Sequence, residues 1–340
     1  MVVETERLIA PSGGALADSP LVYFFIYVSD LARSRDFYEN KIKLRVLEED
    51  ADSVKYSTGL SILCLNRASD YGITLAPGNH ESTDIVFLVD DIDGMRAALM
   101  ERGLTMGKAF RYDPGGICDF YDPDGHWLTL YEPNAAAMTW ASADKIRAIW
   151  KATGRGDLPV VGPAAIEEKE NGEFRMDGKP LLYLFRFVRE PQEAQVFYNN
   201  LMGLVDLEGG PCSAGSDGDE EGVIKYDAGG IMLTTHQTWP DRDPDAMEHP
   251  CPPRLLDPGH MTATAVAFHV NDIEEKYDTL TKIGIPFQGG VSRSKIGAIA
   301  KFSDPSGHVY FLYEPSQEAL GWPSGGKIQE ILTDPAGLPE

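Results

Sequence analysis

The chain has few cysteines and no closely spaced pair of them. Its 340 residues include four cysteines, all widely separated: Cys64, Cys118, Cys212 and Cys251. Zinc ribbons and redox motifs need closely spaced cysteine pairs, and small disulfide frameworks need a much higher density of cysteine. The sequence therefore argues against each of these classes, and we expect four reduced thiols.

Basic residues and long apolar runs are also scarce. Lys and Arg total 30 against 53 Asp and Glu, which gives a formal net charge of −23. A chain this acidic repels phosphate backbones and anionic membrane surfaces, so we expect neither nucleic acid nor a membrane as partner. The longest apolar run, Leu21 to Val28, is too short to cross a bilayer. The first residues lack the pattern of a signal peptide, so we expect a cytoplasmic protein.

The most informative feature that is present is internal repetition. A shift of 160 residues aligns P-L-V-Y-F-F-I-Y-V (Pro20 to Val28) with P-L-L-Y-L-F-R-F-V (Pro180 to Val188). A shift of 182 residues aligns Phe120 to Pro133 with Phe302 to Pro315. Because the offset stays constant through long segments, the chain contains a duplicated domain. The change of offset predicts insertions in the second copy, which we assign to surface loops at Ser213 to Glu221 and Trp239 to Pro258.

Each copy contains a second, shorter repeat. A short apolar strand ends in an acidic turn, an amphipathic helix follows, and three further strand-like runs close the unit. The first strands are Leu21 to Val28, Asp84 to Val89, Leu181 to Val188 and Ala265 to Val270. This pattern predicts an α+β fold of four βαβββ modules. The predicted organisation is an extension (1–19), a first domain (20–134), a linker with a helix (135–179), a second domain (180–316) and a tail with a helix (317–340).

These motifs resemble the vicinal oxygen chelate superfamily, which includes glyoxalase I, bleomycin-resistance proteins and extradiol dioxygenases. The resemblance lies in a first strand ending V-x-D-L/I, a helix with F-Y, and a last strand G-H-x-x-x-L-Y-E-P. It implies two tandem glyoxalase-like domains in which paired modules close half-barrel cavities, with a divalent metal inside. It also implies ligand positions at the first and last strands of each module. In chain order these positions are Tyr23, Asn66, Asp84, Glu132, Tyr183, His236, Ala265 and Glu314.

Strand alternation indicates which other side chains face a cavity. Residues two apart share one face of a strand. One cavity wall is therefore Tyr23, Phe25 and Tyr27, a second is Tyr183, Phe185 and Phe187, and a third is Ala265, Ala267 and His269. The interleaved Phe24, Ile26 and Val28 are predicted to pack under the helix.

The modules can pair in two ways. Pairing within a domain places Asp84 and Glu132 with Tyr23 and Asn66, and His236 and Glu314 with Tyr183. Pairing across the domains instead collects Asp84, Glu132 and His236 beside Tyr183. We favour the crossed pairing, because it concentrates the best ligands in one site. One imidazole with two carboxylates suits Zn²⁺, Fe²⁺, Mn²⁺ or Ni²⁺.

The resemblance then implies a metal-dependent lyase or isomerase, such as an epimerase, that acts on a small oxygen-rich substrate through an enolate. A cyclitol-type natural-product pathway is one setting for it. Glu314 or His269 would be the base and Tyr183 an oxyanion donor, while Tyr23, Asn66, Phe25 and Phe185 would contact the substrate.

Three alternatives stay open. The aromatic walls also suit a metal-free binding or resistance protein that sequesters a planar aromatic molecule. The carboxylates of Glu132 and Glu314, at strand ends, could instead cap loops, and His126 and His308 could satisfy local backbone groups. The chain could be a monomer or a homodimer.

Overall fold

The computed structural model describes residues 14–112, 114–154, 156–158, 175–208, 223–238 and 258–333. The strands, β1 to β16 in chain order, are Leu21–Val28, Val46–Glu49, Ser53–Ser57, Ile62–Arg67, His80–Leu88, Phe110–Tyr112, Gly115–Tyr121, His126–Pro133, Leu181–Val188, Val205–Glu208, Ile224–Asp227, Met232–Gln237, Thr264–His269, Ser292–Ser294, Gly297–Ser303 and Val309–Pro315. The predicted insertion loops, Cys212 and Cys251 lie outside the described residues, apart from Pro258.

The helices, α1 to α8, are Leu31–Arg35, Ile92–Glu101, Ala143–Lys151, Pro191–Gln195, Pro258–Met261, Ile273–Ile283, Gln317–Leu320 and Pro323–Thr333. α1 and α4 continue into π-helical turns at Asp36–Lys41 and Val196–Leu201. The acidic turns predicted before the helices cap them in three modules: the side chains of Asp30, Asp91 and Asp272 accept backbone N–H groups of the first turn. In the third module Pro191 occupies the helix start instead. Within the described residues, none of the helices combines the length and apolar character that crossing a membrane requires.

The strands form two eight-stranded sheets, and each sheet draws on both copies of the duplication. The first sheet has the order β14-β15-β16-β13-β1-β4-β3-β2, and the second has β10-β11-β12-β9-β5-β8-β7-β6. Two antiparallel contacts join the copies: β1 pairs with β13, with Phe24 opposite Val266, and β5 pairs with β9, with Ile85 opposite Leu184. Modules one and four therefore share one sheet and modules two and three the other, which is the crossed pairing. The predicted α+β fold of four βαβββ modules is confirmed.

One face of each sheet, the outer face, packs into a large common core. Phe24, Ile26 and Val28 are fully buried there with residues of α1 such as Leu31, as the alternation predicted. On the second sheet, Ile85 belongs to the same core. Burial of these apolar side chains is the main driving force that holds the two sheets together.

The opposite face, the inner face, is partly covered by a helix that follows each copy. On the second sheet, Ile146 and Trp150 of α3 share a buried cluster with Val86 and Tyr183. On the first sheet, Ile328 and Ile331 of α8 pack in the same way near Tyr23, Cys64 and Ala267. These two helices lie in the segments predicted as linker and tail. The domain boundaries themselves stay a prediction.

Candidate functional site

The inner face of the second sheet carries one row of four side chains that crosses four strands. Trp127 of β8 lies opposite Asp84 of β5, Asp84 lies opposite Phe185 of β9, and Phe185 lies opposite Thr234 of β12. Registered neighbours in a sheet point to the same face, so the four side chains stand side by side. We call them the second-sheet row.

Two residues beyond the row, Phe187 of β9 and His236 of β12 add two more rings to the same inner face. The rings of Trp127 and Phe187 are stacked, with centroids 5.7 Å apart and planes 6° apart. Phe185 and Phe187 have centroids 6.4 Å apart and planes 21° apart. The His236 imidazole lies 5.4 Å from the Phe187 ring. The three apolar rings lie side by side in nearly parallel planes and together form a continuous aromatic cluster.

Asp84 lies in the middle of the row, and burial controls its charge. The side chain is 7% exposed, and the Thr129 hydroxyl lies 2.8 Å from Asp84 Oδ1 and 2.8 Å from Asp119 Oδ1. Burial first, and then the neighbouring Asp119, raise the pKa of Asp84 well above its usual range. Since one hydroxyl proton faces two carboxyl groups, a protonated Asp84 satisfies this arrangement by donating to Thr129.

The register places Glu132 on the other side of β8. Trp127 and Thr129 face inward, so Glu132 faces outward, and its Oε2 accepts the backbone N–H of Ile92 at 2.9 Å. Glu314 does the same in the fourth module, where its Oε2 accepts the N–H of Ile273 at 2.9 Å. Both carboxylates thus cap the first turn of a helix, α2 or α6, which is the alternative role that the sequence left open.

The predicted metal ligands do not converge. His236 lies one row beyond Asp84 and two strands away, and its Nδ1 donates to the Gln237 carbonyl oxygen at 2.8 Å. Glu132 faces the opposite side of the sheet. In the part of the chain that the structure describes, no group of three or more His, Cys, Asp or Glu side chains is placed to hold a metal ion. This donor arrangement does not fit the predicted metal.

The remaining predicted residues divide between the two sheets. Tyr183 lies beneath α3, with its ring 5.6 Å from that of Phe185. Tyr23 stacks on Phe25 at 5.5 Å on the inner face of the first sheet, and burial raises the pKa of Tyr23. Asn66 accepts hydrogen bonds there through Oδ1 from Tyr71 and from Cys64.

His269 also lies on the first sheet, opposite Tyr313. Burial lowers its pKa, which the nearby Glu314 opposes. The structure therefore does not bring His269 to Asp84 and His236, because they belong to different sheets.

The histidines of the two G-H turns bond to distant rather than local backbone groups. His126 Nε2 donates to the Tyr27 carbonyl oxygen and His308 Nε2 to that of Phe187, at 2.9 and 3.0 Å. The prediction of local bonds is wrong, because each turn packs against the end of a first strand from another module. A cavity of 460 Å³ adjoins the first of these turns. Its lining includes His80, Tyr121 and Asp124 and none of the predicted site residues.

Sequence reasoning missed Trp127, Thr129 and Thr234. The strand-end residues were assigned from the resemblance, and nothing in the sequence established which face of β8 is the inner one. The repeat did carry a signal, since the shift of 182 residues aligns Trp127 with Val309. The replacement of a valine by a tryptophan at matched positions of the two copies marks a position where the copies have diverged.

The family model of the Glyoxalase/Bleomycin resistance protein/Dioxygenase superfamily matches residues 21–130 and 181–310. Among solved structures, a mutant form of glyoxalase I from Zea mays is 13% identical, with a TM-score of 0.54, and the match covers 87% of this chain and 94% of that one. A putative dioxygenase from Bacillus subtilis subsp. subtilis str. 168 is 13% identical, with a TM-score of 0.51, and the match covers 93% of this chain and 89% of that one.

No curated protein matches the chain significantly. At 13% identity the structural similarities establish the fold alone. The family match covers both copies of the duplication and most of the chain, and the superfamily's name joins enzymes with resistance proteins. On that match the chain belongs to the Glyoxalase/Bleomycin resistance protein/Dioxygenase superfamily.

Proposed function

We propose that the protein binds a planar, largely aromatic small molecule on the inner face of the second sheet. The observation that carries this proposal is the stacked surface of Trp127, Phe185 and Phe187, with ring centroids 5.7 and 6.4 Å apart. Phe185 is only half-buried, so its ring is available to a ligand. A cluster of aromatic rings recognises planar ring systems by ring–ring contacts and by removing apolar area from water.

The charge of the chain restricts the ligand further. A net charge of −23 disfavours anionic molecules, so the ligand is neutral or cationic. The row itself contributes no fixed negative charge while Asp84 stays protonated.

The test is a binding titration with planar compounds in the presence of EDTA. Proflavine, a cationic three-ring compound, serves as the probe, and its fluorescence anisotropy is measured against protein concentration. Phe185→Ala is expected to weaken binding about 10-fold, because a stacking contact is lost. Phe25→Ala, the matched position on the first sheet, is the control and is expected to change the Kd less than about 2-fold. Equal losses in both variants, or no binding by the parent, would contradict the proposal.

The metal-dependent lyase or isomerase is the second candidate, and the observation that favours it is Asp84. This buried carboxyl occupies a position where the resemblance implies a metal ligand, and it shares an inner face with His236. Enolate chemistry on a cyclitol-type substrate remains the finer form of this candidate.

Metal content separates the two candidates. The protein is supplemented with Zn²⁺, Mn²⁺, Fe²⁺ or Ni²⁺, dialysed, and analysed by mass spectrometry. About one metal per chain that is lost in both Asp84→Asn and His236→Ala would favour the enzyme. Glu132→Gln is the control and is expected to retain any metal, because Glu132 caps α2. A parent that retains no metal under these conditions would leave the binding protein as the better account.

A further inference from the structure

Two polar atoms of the second-sheet row have no hydrogen-bond partner. Trp127 Nε1 and Thr234 Oγ1 are both buried, and neither has a partner in the described structure. Trp127 is 6% exposed and Thr234 is fully buried. Buried polar groups are almost always paired, so an unpaired one points to a partner that binds there. Here two of them lie in the same row of one sheet.

The two groups occupy the opposite ends of the row. Trp127 is on β8 and Thr234 on β12, with Asp84 and Phe185 between them. Neighbouring strands are about 4.8 Å apart, so three spacings separate the ends by about 14 Å. The indole Nε1–H can only donate, whereas the threonine hydroxyl can donate or accept. A ligand that satisfies both groups needs an acceptor at one end and a polar atom at the other.

Resting on the proposed function, we infer that the ligand is a planar molecule of two or three fused rings that carries an oxygen at each end of its long axis. One oxygen accepts a hydrogen bond from Trp127 Nε1, and the other bonds to the hydroxyl of Thr234. The ring system between them lies on Phe185. Ring carbonyl, phenol and methoxy oxygens provide this chemistry, and an unsubstituted hydrocarbon does not.

Because the domain is duplicated, the first sheet carries a row that is equivalent to the second-sheet row. The equivalent row of the first sheet consists of Val309, Ala265, Phe25 and Cys64. Its central phenylalanine is the same, but its ends are a valine and a cysteine whose thiol already donates to Asn66 Oδ1 at 3.5 Å. Neither end residue of this row therefore offers an unpaired donor. One binding site per chain, on the second sheet, is expected.

The experiment uses two matched probes on the full chain: 2,6-dihydroxyanthraquinone and 2,6-dimethylanthraquinone. They differ only in an oxygen or a methyl group at each end. Binding is measured by titration calorimetry at pH 6, where the hydroxyl groups are neutral. The dihydroxy probe is expected to bind about 10-fold more tightly, with one molecule per chain.

Two variants test whether Trp127 and Thr234 are the residues that bind the two end oxygens. Trp127→Phe keeps a ring beside Phe187, and Thr234→Val keeps the side-chain volume, so both are expected to fold, which circular dichroism checks. Each is expected to weaken binding of the dihydroxy probe about 5-fold to 10-fold and to leave the dimethyl probe within about 2-fold. Cys64→Val on the first sheet is the control and is expected to change neither Kd.

The outcomes separate this inference from the proposed function. If both probes bind equally well and neither variant discriminates between them, the inference is wrong while binding of planar rings stands. If neither probe binds while proflavine does, the inference is wrong and the proposed function stands. If none of the three compounds binds to the parent protein, the proposed function falls and the inference falls with it.

Discussion

The two sheets have the same strand order, and yet their inner faces differ. In each, a glutamate at the end of the last strand caps a helix of its own module, and a phenylalanine occupies the centre of the row. At the remaining three positions of the row, the second sheet has Trp127, Asp84 and Thr234 where the first has Val309, Ala265 and Cys64. Duplication thus preserved the groups that hold the backbone together and changed those that can contact a ligand.

A second difference lies on the outer face. Arg186 of the second sheet aligns with Ile26 of the first and is fully buried. Its Nη1 donates to the hydroxyls of Thr83 and Thr264, each at 2.7 Å, and its guanidinium lies 5.5 Å from the ring centroid of Tyr310. A buried cation costs free energy unless it is paired. Here two hydroxyls pair with Nη1 and an aromatic ring lies beside the guanidinium, whereas Nε and Nη2 have no hydrogen-bond partner in the described structure.

The largest expected effect concerns the lysines of the two covering helices. Lys145 of α3 pairs with Asp227 at 2.8 Å, and both side chains are buried. Lys145→Met leaves the Asp227 carboxylate buried and uncompensated, so we expect a loss of about 3 kcal/mol in the free energy of unfolding. Lys327→Met in α8 is expected to cost less than about 1 kcal/mol, because its partner Glu330 is exposed. Urea denaturation measures the free energy of unfolding of both variants. Similar losses in the two would contradict the expectation that the buried Lys145 pair matters more than the Lys327 pair.

The next effect tests the feature that the sheets share. Glu132→Ala leaves the Ile92 N–H without its acceptor, and we expect a loss of about 1 to 2 kcal/mol. Glu314→Ala is expected to cost about 1 kcal/mol, since Glu314 is less buried. Thermal or urea unfolding gives these values. Neither variant should change the Kd for proflavine, and a large change for Glu132→Ala would indicate that its carboxylate reaches the inner face.

The pH dependence of stability distinguishes Asp84 from its counterpart Ala265. The folded-state pKa of Asp84 is raised by burial, so its contribution to stability is complete below the pKa of the unfolded state and is lost as the pH rises through the folded pKa. Asp84→Asn is expected to gain stability relative to the parent as the pH rises from about 4 to about 8. Urea unfolding across that range measures the difference, and a constant difference would show that Asp84 has the same pKa in the folded and the unfolded state. Ala265→Ser, at the matched position, is the control.

The smallest expected effect concerns the two buried cysteines, Cys64 and Cys118, which should not react with a thiol reagent in the folded protein. Burial raises the pKa of Cys64 to about 12 and that of Cys118 to about 11. Thiolates are the reactive form, so neither residue is expected to react with iodoacetamide at pH 8 in the folded protein. Mass spectrometry of tryptic peptides identifies any modified site, and both cysteines should react after unfolding in urea. Rapid modification of Cys64 would show that the inner face of the first sheet is open to solvent.

Much of the fold could be predicted from the sequence because the repeats are regular. The match of Pro20 to Val28 with Pro180 to Val188 identified the duplication, and period-two burial placed Phe24, Ile26 and Val28 on the outer face. The candidate site was less accessible. Glu132 belongs to a motif that occurs in both copies, but a carboxylate that caps a helix and one that binds a metal have the same sequence pattern.

Local patterns along the chain were enough to define the four modules, the acidic turns that start the helices and the aromatic character of Phe185 and Phe187. These features follow from residue propensity, from hydrophobic periodicity and from repetition. Packing in three dimensions established which modules share a sheet and which side chains stand in one row. Pairing between β5 and β9 joins residues about a hundred positions apart. Only this long-range register places Trp127, Asp84, Phe185 and Thr234 side by side on one inner face.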